Sequence, residues 1–268
     1  MSTPRFLCIA THHKTGTVWM RRTFLKFAEA EGIPFLRMSR PATIAELPEE
    51  GPALVTNWSA RFPFEMFLHP EARFVHMIRD PRDVLISGAR YHVAAPLGNE
   101  RWLAAPRAAL GGKSYQEHIA ALPDFAAQLR FEMAGKHAET LTEMLAWPYG
   151  HPHVADLRYE DMIEDVDCAR FRAALEKLGV AGFDIDRLVE SYWTHSLFGG
   201  IRDEGARKAN VRAHVRSGRK AQWRELLPRA VAEEYAMLYG DALIRLGYAR
   251  DHGWVEECRG DAEAALAG

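Results

Sequence analysis

The chain has 268 residues, 48% of them hydrophobic, with 34 lysines and arginines against 36 aspartates and glutamates, enough for one large α/β domain with a sizeable core. The near balance of charge argues against nucleic-acid binding, no run of about eighteen apolar residues offers a membrane span, and no charged-then-apolar leader marks a secretory signal. Three widely spaced cysteines, Cys8, Cys168 and Cys258, make a disulfide framework or zinc cluster a poor fit and suit a reducing cytoplasm.

In chain order, Phe6 to Ala10 is a short continuous apolar run, the pattern of a strand buried on both faces. A polar loop follows, and from Thr17 the residues Trp19, Met20, Leu25 and Phe27 recur at mostly helical spacing until Gly32-Ile33-Pro34 stops them. A strand-loop-helix unit of this kind aims backbone N–H groups and the positive end of a helix dipole at one point, and Lys14 adds a full charge there. An anion is expected in it. The usual phosphate loop, Gly-x4-Gly-Lys-Ser/Thr, is absent, because Lys14 precedes Gly16. With that magnesium-holding arrangement missing, no metal is expected.

Pro41 to Gly51 is a loop with at most one helical turn, Ala53 to Asn57 a second strand, and Ala72 to Ile78 a third. The third runs into Arg79-Asp80-Pro81-Arg82-Asp83, where Asp80 can cap a helix and Pro81 suits its first position. Arg79 is left at the strand's carboxyl end, where a guanidinium can grip a phosphate bidentately, and Ser87 lies two turns along the same helix. An Arg79–Asp83 ion pair is the alternative use of these residues. Tyr115 to Leu122 and Phe125 to Trp147 read as helices, the second long and amphipathic. Tyr91, Trp102, Tyr115 and Phe125 are either pocket walls or core.

His153 to Met162 is a fourth strand entering a polar turn, followed by a helix with Phe171, Leu175 and Leu178 on one face and Gly179 as its stop. Leu188 to Trp193 reads as a helix end, His195 to Arg202 as a glycine-loosened loop and Arg202 to Arg224 as a basic run. Glu225 to Tyr248 reads as a final helix with Tyr235, Leu238, Leu243 and Leu246 inward. Residues from about 249 to 268 are expected to form a peripheral tail. With no internal repeat or long linker, a single domain over 1–268 is expected.

His13-Lys14-Thr15-Gly16-Thr17-Val18-Trp19 resembles the 5′-phosphosulfate loop, roughly Pro-Lys-Ser-Gly-Thr-Thr-Trp, of the sulfotransferases that use 3′-phosphoadenosine 5′-phosphosulfate (PAPS). Arg79 to Ser87 resembles that family's 3′-phosphate site, Arg-x-Pro-x-Asp-Val-x-x-Ser, and Arg158-Tyr159-Glu160-Asp161-Met162 its fourth-strand turn. Arg216 to Trp223 resembles its late Arg-Lys-Gly-x-x-Gly-x-Trp signature, with Ser217 and Ala221 in place of the lysine and the second glycine. The elements occur in the family's order over nearly the whole chain.

The resemblance implies a three-layer α/β/α, P-loop-like domain with a central parallel sheet. It implies sulfuryl transfer from PAPS to a hydroxyl or amine of a small-molecule, glycan or lipid acceptor, leaving 3′,5′-bisphosphoadenosine (PAP). Lys14, the N–H groups of Thr15, Gly16, Thr17 and Val18, and the hydroxyls of Thr15 and Thr17 would face the leaving phosphate. Arg79, Ser87, Arg216, Ser217 and Gly218 would hold the 3′-phosphate, with Trp19, Tyr159, Ser196 and Phe198 around the adenine. One departure matters. The family's second strand ends Lys-Thr-His with the histidine as base, whereas this chain has Val55-Thr56-Asn57, and an amide takes no proton near neutral pH. His13, at the family's proline position, is the candidate base, with His12 and His92 as rivals and Asn57 as a helper that orients the acceptor. A phosphate-loop kinase or NTPase, or a non-catalytic nucleotide-binding relative, are the competing readings. The oligomeric state is not legible.

Overall fold

The structure is a computed structural model that describes residues 4–38, 44–96, 100–180, 182–196, 199, 203, 205–206 and 220–259. Among these, five strands are present: β1 (Phe6–Thr11), β2 (Phe35–Arg37), β3 (Ala53–Asn57), β4 (Ala72–Ile78) and β5 (Val154–Arg158). They form one parallel sheet in the order β2-β3-β1-β4-β5. The four strands expected from the sequence are all there. The fifth, β2, is a three-residue edge strand after Pro34, too short for any alternation of side chains to announce it.

The helices are α1 (Thr17–Glu31), α2 (Phe64–Leu68), α3 (Pro81–Ala94), α4 (Arg101–Ala104), α5 (Tyr115–Ala120), α6 (Phe125–Ala134) and α7 (Lys136–Leu145), then α8 (Tyr159–Met162), α9 (Ala169–Leu178), α10 (Ile185–His195), α11 (Trp223–Leu226) and α12 (Arg229–Arg245). Contacts gather the chain into two compact units, Met1–Arg79 with Ala146–Gly218 and Asp80–Leu145 with Arg219–Gly268.

The first unit holds the sheet. Every residue of β1 is buried, and successive residues point to opposite faces. Leu7 and Ile9 join Val75, Met77 and Leu157 in a core with α1, α9 and α10, where Trp19 stacks on Tyr192 at 5.0 Å and Tyr192 on Phe171 at 3.9 Å. Phe6, Cys8 and Ala10 join Val55, Phe74 and Val154 on the other face, against Met66, Phe67 and Trp147. Burial of each such large apolar side chain contributes about 1.5–3 kcal/mol, so a strand apolar on both faces is stable only where both faces are covered. Gly32, in the left-handed region at φ 65°, ends α1 where the sequence placed the stop.

The second unit is helical, with Leu85, Ala89, Phe125, Leu129, Trp223, Val231, Tyr235 and Trp254 in its core. Three expectations are corrected here. The single helix over 125–147 is two, broken at Gly135, whose backbone at φ −103° and ψ −113° leaves the helical region, and a Cβ there would lie 2.8 Å from the Tyr115 hydroxyl and 3.1 Å from the Phe131 carbonyl. The single helix over 225–248 is likewise broken. Pro228 holds Leu227 extended, separating α11 from α12, and Leu238 is 63% exposed while Tyr235, Leu243 and Leu246 are buried as expected. Residues 251–259 are not peripheral, since Trp254, Val255 and Cys258 are buried and Trp254 meets Trp223 edge-on at 5.6 Å. Residues 260–268 lie outside the described residues.

The close approach at Gly135 is testable. Gly135→Ala should destabilise the protein by about 1–3 kcal/mol through overpacking against Tyr115, read as a lower urea midpoint with an unchanged denaturant slope. A midpoint equal to that of the wild type would show that the helix break does not depend on this contact.

Candidate active site

In an open parallel sheet ligands bind beyond the carboxyl ends of the strands, where the strand order reverses. Here that point lies between β1 and β4, since the chain goes from β1 outward to β2 and β3 on one side and then crosses to β4. The loop after β1 is residues 12–16. Its shape is set by the peptide group of His12, whose carbonyl accepts from the Thr15 N–H (3.2 Å), the Thr15 hydroxyl (3.0 Å) and the Thr17 hydroxyl (2.9 Å). The His12 N–H donates back to Thr15 Oγ1 at 2.9 Å.

Two residues of the loop have positive φ. Gly16 is at 105°, a value that glycine alone adopts without strain, and Lys14 is at 63°, left-handed for a non-glycine residue. Strain of this kind costs on the order of 1 kcal/mol or more and clusters at ligand sites. Among the described residues no side chain caps α1, and no acidic residue sits in its first turn, so nothing in the helix itself competes for its positive end. Val18, in that turn, is 80% exposed.

Arg79 at the end of β4 is 3% exposed, donates from Nη1 to the Lys14 carbonyl at 3.3 Å and lies with its guanidinium 4.6 Å from the ring centre of Tyr159. Tyr159 meets Trp19 edge-on at 6.2 Å. Lys14, Gly16, Trp19, Arg79 and Tyr159 are thus brought together at the carboxyl ends of β1, β4 and β5, within the first unit. The donor set gathered here is of the kind an anion accepts, the Arg79 guanidinium and the start of α1 with Lys14 on the loop between them. It fits the phosphate and sulfate oxygens of a nucleotide such as PAPS.

A family profile described as "Sulfotransferase domain" matches residues 4–247. The chain belongs to this sulfotransferase family. No curated protein matches the sequence. Among solved structures, this sulfotransferase domain is similar to retinol dehydratase in complex with androsterone and inactive cofactor PAP, with 14% identity over 91% of this chain and 82% of that one and a TM-score of 0.50, a likeness of fold. It also matches mouse sulfotransferase SULT7A1 complexed with PAP at 14% identity and a TM-score of 0.46, covering 74% of this chain and spanning 65% of the mouse protein's.

The remaining expected residues divide. Ser87 is half-buried on α3, a helix capped by Asp80 as expected, the Asp80 carboxylate accepting the Arg82 N–H at 3.0 Å. Asp83 accepts the Trp223 N–H at 3.0 Å. The Ser196 hydroxyl donates to the Trp193 carbonyl at 2.7 Å and so serves the end of α10. Phe198, Arg216, Ser217 and Gly218 lie outside the described residues. The Thr15 and Thr17 hydroxyls, expected to face the anion, donate instead to the His12 carbonyl; the sequence gives no sign of this, because the bonds exist only once the loop has turned.

Asn57 corrects another expectation. Its Oδ1 accepts the N–H groups of Ser59 and Arg61, and its Nδ2 donates to the Arg61 carbonyl, so the amide shapes the loop after β3 and is not poised to orient an acceptor. Two rival bases are engaged internally. The His12 ring is buried, with Nε2 2.9 Å from His76 Nε2, and His92 Nδ1 is 2.7 Å from Glu132 Oε2, which also accepts from the Tyr115 hydroxyl. His13 is half-buried on the loop. His76 and Asp156, which continue the chain from His12, were not singled out by any motif.

Burial pushes His76 down to about 4 against the partial opposition of its bond to Asp156, and burial alone pushes His137 down to about 3. An unfolded histidine titrates near 6.5, so below that pH the unfolded chain binds protons that the folded chain refuses. Stability from both groups is therefore complete above about pH 6.5 and is lost as the pH falls toward 4, each adding a slope of up to ~1.4 kcal/mol per pH unit. Urea midpoints measured between pH 7 and 4 should fall across this window, and less steeply in His137→Gln. A flat profile would contradict the neutral burial of both rings.

Proposed function

We propose that this domain transfers the sulfuryl group of PAPS to a hydroxyl or amine of a small-molecule acceptor and leaves PAP. The observation that carries the reading is the loop of residues 12–16 at the sheet's switch point, which carries Lys14, leads into α1 and is bonded through the Lys14 carbonyl to Arg79. The nucleotide would supply an activated sulfuryl group on a phosphate leaving group. The Lys14 ammonium and the N–H groups at the start of α1 would stabilise the charge that develops on that phosphate, as preorganised donors do in oxyanion sites. Arg79 would hold the 3′-phosphate, joined by Ser87, Arg216, Ser217 and Gly218, and Trp19 and Tyr159 would bound the adenine. Since position and charge do most of the work in such transfers, the absence of a magnesium-holding loop is compatible with this role.

The acceptor must lose a proton. Asn57 stands where the family's base does and cannot take one, while a histidine with an ordinary value of about 6.5 can. His13 is proposed as that base, because it lies on the loop and the rings of His12 and His92 are engaged with His76 and Glu132. The occupied amide of Asn57 also favours a second reading, a non-catalytic nucleotide binder. A kinase or NTPase would instead prefer ATP with magnesium. The three cysteines are free and buried, and burial pushes Cys168 up to about 12 and Cys258 up to about 11, which suits a cytoplasmic setting. Among the described residues no helix is long and apolar enough to cross a membrane.

Calorimetry should show PAP binding more tightly than adenosine 5′-monophosphate by a margin of roughly 1.5–3 kcal/mol, the value of a charge-assisted contact to the 3′-phosphate. Equal affinities, or a preference for ATP with magnesium, would end the assignment. With labelled PAPS and a panel of hydroxyl and amine acceptors, Lys14→Ala should lose nearly all turnover while keeping its urea midpoint. Absence of transfer to every acceptor, with PAP still bound, would favour the binder. Among His12, His13 and His92 replaced singly by Gln, the His13 variant should lose turnover and the wild-type pH profile; retention of both would place the base elsewhere.

A further inference from the structure

Beneath the loop lies a chain of polar groups that no step above uses. His12 Nε2 is 2.9 Å from His76 Nε2, His76 Nδ1 is 2.8 Å from Asp156 Oδ1, and the Trp147 indole N–H donates to the same oxygen at 2.9 Å. His12 and His76 are fully buried, whereas the Asp156 side chain, on the edge strand β5, is 26% exposed. The His76 ring stacks on Trp147 at 4.2 Å and meets Tyr149 edge-on at 5.7 Å, and the two histidine rings cross at 86°.

Each proton in this chain follows from its neighbour. An indole N–H only donates, so Asp156 Oδ1 is an acceptor, and the His76 nitrogen facing it must carry hydrogen. Burial keeps His76 neutral, so its other nitrogen, Nε2, holds a lone pair. His12 must then donate from Nε2. The ring of His12 is held in one orientation, its Nε2–H toward His76, by a carboxylate two residues removed in the hydrogen-bond chain. The peptide group of the same residue gathers the three donors that shape the phosphate loop.

We propose that Asp156 and His76 are positioning residues, which hold the phosphate loop in its anion-binding shape by fixing the orientation of the His12 ring. The proposal rests on the reading of this loop as the nucleotide site. It is a role of geometry and not of charge, and this distinguishes it from a proton relay. Asn at 156 keeps an oxygen that accepts from His76 Nδ1 and Trp147, whereas Ala keeps none.

The test pairs these two variants, since a partly exposed edge position tolerates both. Nitrogen-15 histidine NMR of the wild type should show His76 protonated at Nδ1 and His12 at Nε2. Asp156→Ala should shift the amide resonances of residues 13–18 and weaken PAP binding by about tenfold, the scale of one lost hydrogen bond. Asp156→Asn should leave both near wild type, and His76→Leu should resemble Asp156→Ala. A wild-type His76 protonated at Nε2, or an Asp156→Asn variant as damaged as Asp156→Ala, overturns the proposal. If the wild type fails to bind PAP, the nucleotide reading fails, while the tautomers and the loop amide shifts still judge the role of Asp156 and His76.

Discussion

Strand β1 is hydrogen-bonded along both edges, to β3 and to β4, and buried on both faces, which leaves its direction and its end no freedom. The chain must therefore turn at one place once the strand ends. The turn is closed by the peptide group of a single residue, His12, and opens directly into α1. Among the described residues no side chain caps this helix, and its first N–H groups face outward from the sheet's carboxyl end as donors for an anion.

The electrostatics of the site repeat this economy. Arg79 is buried at the end of the neighbouring strand, its guanidinium held against the face of Tyr159 and against the Lys14 carbonyl. A buried guanidinium is costly unless its N–H groups find partners, and the Lys14 carbonyl and the ring face of Tyr159 supply two. The strained backbone of Lys14 fits the same account, since the fold maintains a conformation there that local preference does not favour. Beneath the loop, two imidazoles, one indole and one carboxylate form a hydrogen-bonded chain.

The second unit shows polar groups used in a purely architectural manner. Arg82 pairs with Asp80, donates to the Tyr248 carbonyl and lies 3.7 Å from the ring centre of Trp223, while Asp83 accepts the Trp223 N–H. Trp223, the final residue of the late motif, is therefore anchored by residues of the earlier Arg79–Ser87 motif. Glu132 is buried but accepts from both His92 and Tyr115, and Gly88 is small enough to admit it, since a Cβ there would lie 2.6 Å from Oε1. These pairings explain why several of the polar residues between 80 and 132 are structural.

The elements whose causes are local could be read from the chain alone. The stretches beginning at Phe6, Ala53, Ala72 and His153 read as strands, Asp80-Pro81 starts a helix and Gly32 stops one, and the order of the loop motifs marks the family. Tertiary structure decided whatever depends on a distant partner. Position 135 has room only for glycine because Tyr115 stands against it, residues 251–259 are core because Trp254 finds Trp223 and Tyr235, and β2 is a strand because β3 offers it an edge. The same holds in the site. Lys14 and Gly16 were legible as an anion loop, but the fate of the Thr15, Thr17 and Asn57 side chains was not, nor was the link from Asp156 through His76 to His12. A hydrogen bond between residues 64 or 80 positions apart leaves no periodicity in the chain, and only the parallel sheet, which pairs His76 of β4 with Asp156 of β5 and ends β1 just before His12, brings those three side chains together.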